Sequence, residues 1–324
     1  MENYTDNEVN SLINEYIDVL TKTYDDGLLV EFKDQYTNTP EILYHYTSSS
    51  GICGILSGNS FWCSNASYFN DYTELKYANS IFNEVKDSKK KGYNNNLYNE
   101  VLDRIINIYD GLFDAYVLSL TENGDLLSQW RGYGDKGYGY SIGIKFKDEK
   151  QNIIFKTGLD IIIRKVIYCP EKQRSLISNV LDSTYSTIQE ILKLIGTFYN
   201  EKIRNKIIEE FSLALCLTLA DLSLCFKHPT FSEEKEWRII YSIPNKEINL
   251  DYLNFRTRQG NIIPYVNLLV YDSDNKSKDK LPLSKIVFGP ALEKELTYKS
   301  LRLLLNKYKY EGVIIEQSKV PYKD

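Results

Sequence analysis

The amino-acid sequence predicts an α+β fold in which a single mixed β-sheet takes strands from both ends of the chain. Strand-like alternation occurs up to about residue 146 and returns after residue 235, whereas residues 172–227 have a helical period with no proline and one glycine. Apolar residues make up 43% of the 324 residues, which is enough for a sizeable core. One sheet shared by both halves is therefore expected rather than two independent domains.

The first part of the chain is expected to begin with an amphipathic helix and to continue with strands and short helices. Apolar side chains recur at helical spacing in the leading segment, and Gly58 is typical of a helix end. The lysine-rich segment 86–92 is predicted to be a solvated loop. The expected elements are a helix at 7–24, a strand at 42–47, a helix at 51–56, a strand at 60–64 and helices at 72–85 and 97–113.

The remainder of the chain is expected to alternate between strands and one long helical stretch. Residues 131–140 contain four glycines and three tyrosines, which is typical of a loop close to a ligand or another backbone. Residues 1–40 are predicted to be an N-terminal helical extension, and residues 41–324 a single α+β domain with a helical insertion at about 172–227. Strands are expected at 115–120, 141–146, 164–168, 236–243, 253–258, 262–270, 285–288 and 313–316, and a further helix at 293–307.

Composition and charge exclude several classes of protein. The five cysteines form no CxxC pair, and their odd number argues against a secreted disulfide framework. The polar, acidic N-terminus lacks the features of a signal peptide, and no apolar segment is long enough to cross a bilayer, so a cytoplasmic location with no membrane partner is expected. A net charge of −5 is not typical of a general nucleic-acid binder, and two histidines are too few for a histidine-rich zinc site. No metal is expected.

The densest group of charges lies where the strand at 236–243 begins. Glu234 and Glu236 stand two residues apart, so on an extended backbone both carboxylates would point to one side. Trp237 beside them would lower the local dielectric and raise a carboxyl pKa, which indicates an acid–base pair. The alternative is a charged loop that leads into a salt-bridged strand end, because charge runs are usually solvated.

Four other groups of polar residues have both a structural and a functional interpretation. His45, between Tyr44 and Tyr46, is more often a hydrogen-bonded structural histidine than a catalyst. The segment Ser64–Asp71 with Glu74 has the composition of a turn and helix cap. The glycines that follow Gln129 match neither a dinucleotide-binding fingerprint nor a phosphate-binding loop. The arginines at 256 and 258 suit either a clamp on a pyrophosphate or protection of an exposed sheet edge.

Six motifs, four of which include residues described above, together resemble the prokaryotic domain-of-unknown-function family 2971. The resemblance covers about Glu41 to the C-terminus, and it is specific because the motifs lie far apart and occur in the same order. That family has no settled activity, so the resemblance alone implies little about function. The motifs are Leu43-Tyr44-His45-Tyr46-Thr47, Ser64-Asn65 with Phe69-Asn70-Asp71 and Glu74, Gln129-Trp130, Lys227-His228, Glu234-Lys235-Glu236-Trp237-Arg238 and Val320-Pro321-Tyr322-Lys323.

A weaker resemblance is to ADP-ribosyltransferases, which present a histidine on the first strand of a split sheet and a catalytic glutamate at the start of a later strand. It implies an ADP-ribosyltransferase-like split sheet and NAD as substrate. Glu236 would then stabilise an oxocarbenium-like ribose, Glu234 would orient or deprotonate the acceptor, and His45 would hold the adenosine ribose. Residues implied in NAD binding are His45, Tyr46, Thr47, Ser64, Asn65, Tyr68, Asn70, Arg131, Tyr133 and Arg238, with arginine 131 or 238 on the pyrophosphate and tyrosine 68 or 133 on nicotinamide.

The leading hypothesis is an NAD-dependent ADP-ribosyltransferase or NAD glycohydrolase that acts as a bacterial toxin or antiphage effector, with a nucleic-acid or protein acceptor. One alternative is a non-enzymatic nucleotide-sensing or interaction module with a partner protein of a defence system. The other is a metal-dependent nuclease that uses Asp71, Glu74, Glu234 and Glu236. The leading hypothesis requires His45 and Glu236 to face one cleft, and placement on opposite faces of the sheet argues against it.

Overall fold

A computed structural model describes residues 6–37, 40–68, 73–93, 95–108, 113–145, 162–196, 199–244, 250–258, 260–269 and 280–322. The chain divides into two compact units, each assembled from three separate segments. Unit 1, the helical unit, comprises Met1–Asp34, Asp71–Phe113 and Ile167–Thr230, and unit 2, the sheet unit, comprises Gln35–Asn70, Asp114–Val166 and Phe231–Asp324. The division into an N-terminal extension and one domain with an insertion stays a prediction.

The helices lie where the sequence pattern predicts them, although the first helix continues to Thr37, beyond the predicted end at residue 24. Most of them belong to the helical unit. Their bounds are α1 (Asp6–Thr37), α2 (Ser49–Gly58), α3 (Thr73–Gly92), α4 (Asn96–Ile108), α5 (Leu127–Gly132), α6 (Pro170–Ile195), α7 (Glu201–Ser223) and α8 (Lys294–Lys307). Pro170 at the first position of α6 has no N–H to leave unsatisfied, and the Asn200 side chain caps α7 by accepting from the Ile203 N–H at 3.0 Å. In the described part of the chain, no helix is both long and apolar enough to cross a membrane.

The lysine-rich segment 86–92 is not a loop, so that prediction is wrong. Helix α3 continues through it to Gly92, because its lysines have partners on neighbouring helices. Lys89 pairs with Asp182 of α6 at 2.6 Å, and Lys90 pairs with Asp103 of α4. A run of charges that is matched across helices adds to the packing of α3 rather than ending it.

Ten described strands form one mostly antiparallel sheet in the sheet unit, which confirms the predicted mixed α+β class. The sheet order is β10-β9-β4-β1-β3-β2-β8-β7, with β6 paired to β3 and β5, and β9 and β10 run parallel. The strands are β1 (Ile42–Thr47), β2 (Phe61–Asn65), β3 (Phe113–Thr121), β4 (Tyr140–Lys145), β5 (Ile162–Lys165), β6 (Glu236–Pro244), β7 (Leu253–Arg258), β8 (Asn261–Leu268), β9 (Leu283–Phe288) and β10 (Ile314–Gln317).

The sheet forks at β3. This strand meets β1 at the pair Tyr44↔Thr121, meets β2 at Ser64↔Val117, and also pairs with β6. A strand has two hydrogen-bonding edges, so three partners require two of them to share one edge. Along β3, Ser119 lies between Thr121, which pairs with β1, and Val117, which pairs with β2.

The two faces of the sheet differ in character. Helices α2 and α8 pack against a core face, where strand residues of alternating position form one hydrophobic cluster. Members of this cluster include Leu43, Phe61, Cys63, Leu118, Ile142, Trp237, Ile239, Val266 and Ile286 from the strands and Ile55 and Leu301 from the two helices. Residues that alternate with these point to the opposite side, which we call the polar face because it includes Ser64, Thr121, Arg164, Glu236 and Arg238.

Candidate functional site

Glu234 and Glu236 do not share an extended backbone, so that part of the prediction is wrong. Glu234 ends the 3-10 helix Pro229–Glu234, Lys235 has a left-handed φ of 42°, and β6 begins only at Glu236. The turn is held to the end of β3, because the Thr121 hydroxyl donates to the Glu234 carbonyl at 2.5 Å. Both glutamates are nevertheless buried, with 7% and 5% of their surface exposed.

Glu236 forms a buried, bidentate ion pair with Arg238 on the same strand. The Arg238 Nε lies 2.8 Å from Glu236 Oε1, and its Nη2 lies 3.0 Å from Oε2. Residues two apart on a strand point to the same side, so both groups lie on the polar face. Arg238 is only 2% exposed, and Arg164 stands directly opposite it on β5. Both oxygens of the predicted catalytic carboxylate are thus oriented by a guanidinium.

Trp237, which was expected to raise the pKa of a carboxyl beside it in sequence, contacts Glu122 just after β3. Its Nε1 donates to Glu122 Oε1 at 3.0 Å, and Lys165 Nζ lies 2.7 Å from the same oxygen. Burial raises the pKa of Glu122, but the hydrogen bonds from Lys165 and Trp237 lower it, and the net direction is down. Trp237 therefore acts on a carboxylate that motif reasoning missed. The sequence signal that could have identified Glu122 is its position directly after a strand.

His45 holds the fork of the sheet. Its Nδ1 lies 3.0 Å from the carbonyl oxygen of Ser119, the residue of β3 left between β1 and β2. A carbonyl only accepts, so Nδ1 carries the proton. Burial lowers the pKa of His45 to about 4, the bond to Ser119 opposes this shift, and the charge of Arg256 adds to it. The imidazole is therefore neutral at pH 7.

His45 and Glu236 point to opposite sides of the sheet. His45 alternates with Leu43, stands opposite Ile142, and contacts the ring of Phe61 edge-on at 5.9 Å, and all three belong to the core face. Glu236 alternates with Trp237 of the same cluster and therefore points away from it. Alternation along the two strands argues against a shared cleft for this pair, and the transferase hypothesis stays a prediction.

Arg256 of β7 is a cation on the same polar face as Ser64. Its Nη2 donates to the Ser64 hydroxyl at 3.0 Å, and its guanidinium lies 6.0 Å from the ring centroid of Trp62. The Arg256 Nε is buried and has no hydrogen-bond partner among the described residues. Burial lowers the pKa of Arg256 and the charge of Arg258 lowers it further, whereas Tyr265 raises it. An anion at this position would offset both unfavourable effects.

Two half-buried aromatic rings lie beside Arg256. Ser64 and Tyr265 are paired across β2 and β8, and the rings of Trp62 and Tyr265 are 5.1 Å apart with a tilt of 38°. Trp62 and Tyr265 were not among the predicted binding residues. The signal that could have found them is the alternation in β2, which places Trp62 on the same side as Ser64.

Tyr46 has a structural role in the sheet unit. Its hydroxyl accepts from the Leu126 N–H at 2.9 Å and donates to the Asn123 carbonyl at 3.1 Å, and its ring meets Trp130 edge-on at 4.8 Å. Burial raises its pKa. Tyr133 packs on the same small cluster, which also contains Val287. Through these contacts β1 packs against the loop that follows β3.

The glycine-rich loop packs against protein rather than remaining open. A Cβ on Gly139 would lie 2.4 Å from the carbonyl oxygen of Thr47, and one on Gly289 would lie 2.1 Å from that of Gly137. The guanidinium of Arg131 lies 5.7 Å from the ring centroid of Tyr322. This loop therefore joins motif residues that are distant in sequence, from β1 to the C-terminal segment.

The Ser64–Asp71 segment is a turn where it is described. The Asn65 side chain is buried and accepts from the Ser67 N–H at 3.0 Å, as expected for a turn, and Tyr68 is 47% exposed. Asn70 and Asp71 lie outside the described residues, as does the side chain of Glu74. Elsewhere in the described ranges, no group of three or more His, Cys, Asp or Glu side chains has a metal-holding arrangement.

Fold and site together define an α+β protein built on a forked, mostly antiparallel sheet with an arginine-rich polar face. Residues 129–239 of the chain match the family described as Protein of unknown function (DUF2971). The matched stretch includes Gln129-Trp130, Lys227-His228 and Glu234-Lys235-Glu236, which belong to three of the six motifs on which the resemblance was based. No match is found among curated proteins or among solved structures.

Proposed function

We propose that the protein binds a nucleotide on the polar face of its sheet, with a phosphate on Arg256 and a base against Trp62 and Tyr265. The observation that carries the proposal is the buried Arg256 Nε, which has no hydrogen-bond partner among the described residues. Arginine presents paired N–H donors that match a phosphate, and buried donors are rarely left unsatisfied. The half-buried rings supply a stacking surface for an aromatic base.

NAD is the nucleotide that we propose first. It contains a pyrophosphate and two planar rings, which suits one guanidinium flanked by aromatic side chains. A phosphate near Arg256 would also be close to the Ser64 hydroxyl, which Arg256 already holds at 3.0 Å. His45 is neutral and its Nδ1–H is taken by Ser119, so it offers no positive charge to a phosphate.

Calorimetric titration with NAD, ADP and adenosine tests this proposal. NAD and ADP should bind saturably, and adenosine should bind at least about tenfold more weakly, since it lacks the charge-assisted bonds to Arg256. Arg256→Met should weaken ADP by a similar factor. Arg302→Met is the matched control, because Arg302 also lies over an aromatic ring, that of Tyr298 on α8 at 5.2 Å. Equal ADP affinity in Arg256→Met and wild type would contradict the proposal.

Cleavage of NAD is the second candidate function. One observation favours it: Glu236 lies on the same face as Ser64, with both carboxylate oxygens oriented by Arg238. A fixed, buried carboxylate is the group that would stabilise positive charge developing on a ribose as nicotinamide leaves. On this proposal Arg256 replaces His45 as the partner that positions the substrate.

Release of nicotinamide, measured by chromatography, separates cleavage from binding alone. Glu236→Gln should abolish release, whereas Glu316→Gln should not, although Glu316 is also ion-paired, with Lys285 at 2.7 Å. NAD binding without release would leave the non-enzymatic nucleotide sensor as the function. Were release to occur in cells, NAD depletion would suit a toxin or antiphage effector, and expression of wild type should reduce viability while Glu236→Gln should not.

A further inference from the structure

Strand β7 lies at one edge of the sheet. Among the described strands it pairs with β8 alone. In the described part of the chain, no backbone hydrogen bond outside that pairing involves Leu253, Phe255 or Thr257. The two other described strands with a single partner, β5 and β10, have four residues each, whereas β7 has six. A long unpaired edge is a template for a further strand, and proteins usually keep such edges short or covered.

The N–H and C=O groups on the outer edge of β7 belong to alternate residues. The hairpin closes with Arg258 hydrogen-bonded to β8 across a two-residue connection. Because bonded and non-bonded pairs alternate in an antiparallel ladder, Leu253, Phe255 and Thr257 direct their backbone groups away from β8. Pro264, which lies opposite Phe255, agrees with this pattern, since a proline has no N–H to donate across the hairpin.

Large apolar side chains are exposed beside this edge. Phe255 on β7 and Ile262 on β8 are each 64% exposed. Leu250 and Tyr252, just before β7, are exposed as well. Arg256 does not shield the edge with its charge, because its side chain is turned over the sheet onto β2. Exposed apolar groups beside an unpaired edge mark an interaction surface.

We propose that β7 pairs with β7 of a second copy of this chain, antiparallel and about a two-fold axis at Phe255, so that two sheets become one. In such a dimer each strand is matched with itself. Phe255 lies opposite the partner's Phe255, and Leu253 lies opposite the partner's Thr257. All outward backbone groups of these three residues are then hydrogen-bonded on both strands, and the two phenyl rings lie side by side on one face.

Charge favours this register over its neighbours. With the axis at Phe255, Arg256 lies opposite the partner's Asn254 and Arg258 lies opposite the partner's Tyr252. An axis two residues later, at Thr257, would place Arg256 opposite the partner's Arg258, and like charges that face each other destabilise a strand pair. An axis two residues earlier would leave the outward groups of Thr257 opposite a residue that precedes the strand.

A disulfide across the two-fold axis tests both the partner and the register. In a background of Cys53→Ser and Cys169→Ser, which removes the exposed thiols, Phe255→Cys should give a disulfide-linked dimer on mild oxidation. The Cα atoms of an opposing pair lie about 5.5 Å apart, which is within disulfide range. Thr257→Cys is the matched control, because its two copies would lie about 14 Å apart along the paired strands.

Non-reducing electrophoresis measures the yield of linked dimer. The proposal expects a high yield for Phe255→Cys and little for Thr257→Cys. Equal yields would mean random collisions or another register, and no dimer with Phe255→Cys would mean that the two edges do not meet. Either result would overturn the proposal.

The average mass of the wild-type chain provides an independent test. One strand pair is a small interface, so light scattering should show a mass that rises with protein concentration from one chain toward two. Phe255→Lys should stay monomeric, because two ammonium groups would face each other on the axis. Ile262→Lys is the matched control, since Ile262 has the same exposed fraction but lies on β8, away from the edge.

Circular dichroism establishes that both lysine variants are folded. Loss of the dimer in Ile262→Lys as well would assign the contact to the apolar side of the hairpin rather than to the β7 edge, contrary to the proposal. A wild-type mass of one chain at every concentration would also contradict it, and would leave a peptide of another protein as the strand that β7 accepts.

Discussion

Glu236 and Arg238 hold each other in place, so a substitution of either residue also affects the other. Bringing two charges into a protein interior costs several kcal/mol, which two well-formed hydrogen bonds offset only in part. Such a pair contributes little net stability, but removal of one member is expensive because the other charge stays buried. The pair therefore fixes the direction of a carboxylate at the start of β6, at a place where Lys235 already strains the backbone.

Arg238→Met should lower the free energy of unfolding by about 3–5 kcal/mol, because Glu236 loses both hydrogen bonds to the guanidinium. Urea denaturation measures this change. Lys285→Met is the control: it removes the half-exposed pair with Glu316 and should cost less than about 1 kcal/mol. A loss as small as the control's would mean that Glu236 is not held mainly by Arg238.

His45 should make stability depend on pH below neutrality. Its folded pKa of about 4 lies below the unfolded value of 6.5, so the unfolded chain binds the extra proton first. The contribution of His45 is complete above pH 6.5 and is lost as pH falls toward 4, by up to about 1.4 kcal/mol for each pH unit.

Denaturation of wild type and His45→Gln at pH 7, 6 and 5 measures this effect. Glutamine retains an N–H donor for Ser119 but does not titrate, so the stability difference between the two proteins should shrink as the pH falls. A difference that stays constant over this range would be the contrary result. The chain has one other histidine, His228, so loss of one imidazole signal in the variant assigns His45 by NMR.

At the scale of elements, the local sequence pattern was enough to predict a strand or a helix wherever buried side chains recur at a regular spacing. The strands at 42–47 and 253–258 were predicted with their observed bounds, because turn residues and alternating side chains mark them. The segment 86–92 was mistaken for a loop, because its lysines are matched by carboxylates on α4 and α6 that lie far away in sequence. Ion pairs between helices that are distant in sequence cannot be recognised from a short stretch of sequence.

The candidate site was harder to predict than the elements. Glu236, Arg238 and Ser64 were identified as polar residues on strands, and their common face follows from alternation once the strand bounds are known. His45 was assigned to the same cleft, but the side to which a strand residue points depends on its register with β4, which the sequence does not state. For Arg256 the sequence left a pyrophosphate clamp and an exposed sheet edge as alternatives, because its surroundings depend on Trp62 and Ser64, which lie on a strand distant in sequence.

Gly289→Ala should disrupt the glycine-rich loop. The new Cβ would lie 2.1 Å from the carbonyl oxygen of Gly137, so backbone must move, at a cost of about 1–3 kcal/mol or more. Gly132→Ala, at the end of α5, is the control, because nothing lies within 4 Å of its Cβ position, and it should be neutral or slightly stabilising. Thermal denaturation compares the two, and equal melting temperatures would contradict the close approach.

On the scale of the whole molecule, the five cysteines are distributed over both units, so their reactivity reports on the folding of each unit. Cys53 and Cys169 are exposed, whereas Cys63, Cys216 and Cys225 are buried, and all are free. Burial raises the pKa of Cys63 to about 12 and that of Cys216 to about 11. A rise of this size lowers the reactive thiolate fraction on the order of a hundredfold, in addition to blocking access.

Iodoacetamide at pH 8 should therefore add to two cysteines of the native protein and to all five after denaturation without reductant. Intact-mass spectrometry counts the adducts. Rapid modification of Cys63 would indicate that the sheet unit opens, and rapid modification of Cys216 would indicate the same of the helical unit. Fewer than five adducts in the denatured protein would reveal a disulfide.

The order of strands in the sheet also determines which strand edges are unpaired while the protein is being synthesised. The free edges of β2 and β4 are covered by β8 and β9, which are translated about 200 and 140 residues later. Until then the nascent chain presents two unpaired strand edges, the feature by which other polypeptides are recruited into aggregates. Its final third is thus needed to close the sheet, and early chaperone engagement is the expected consequence for its synthesis.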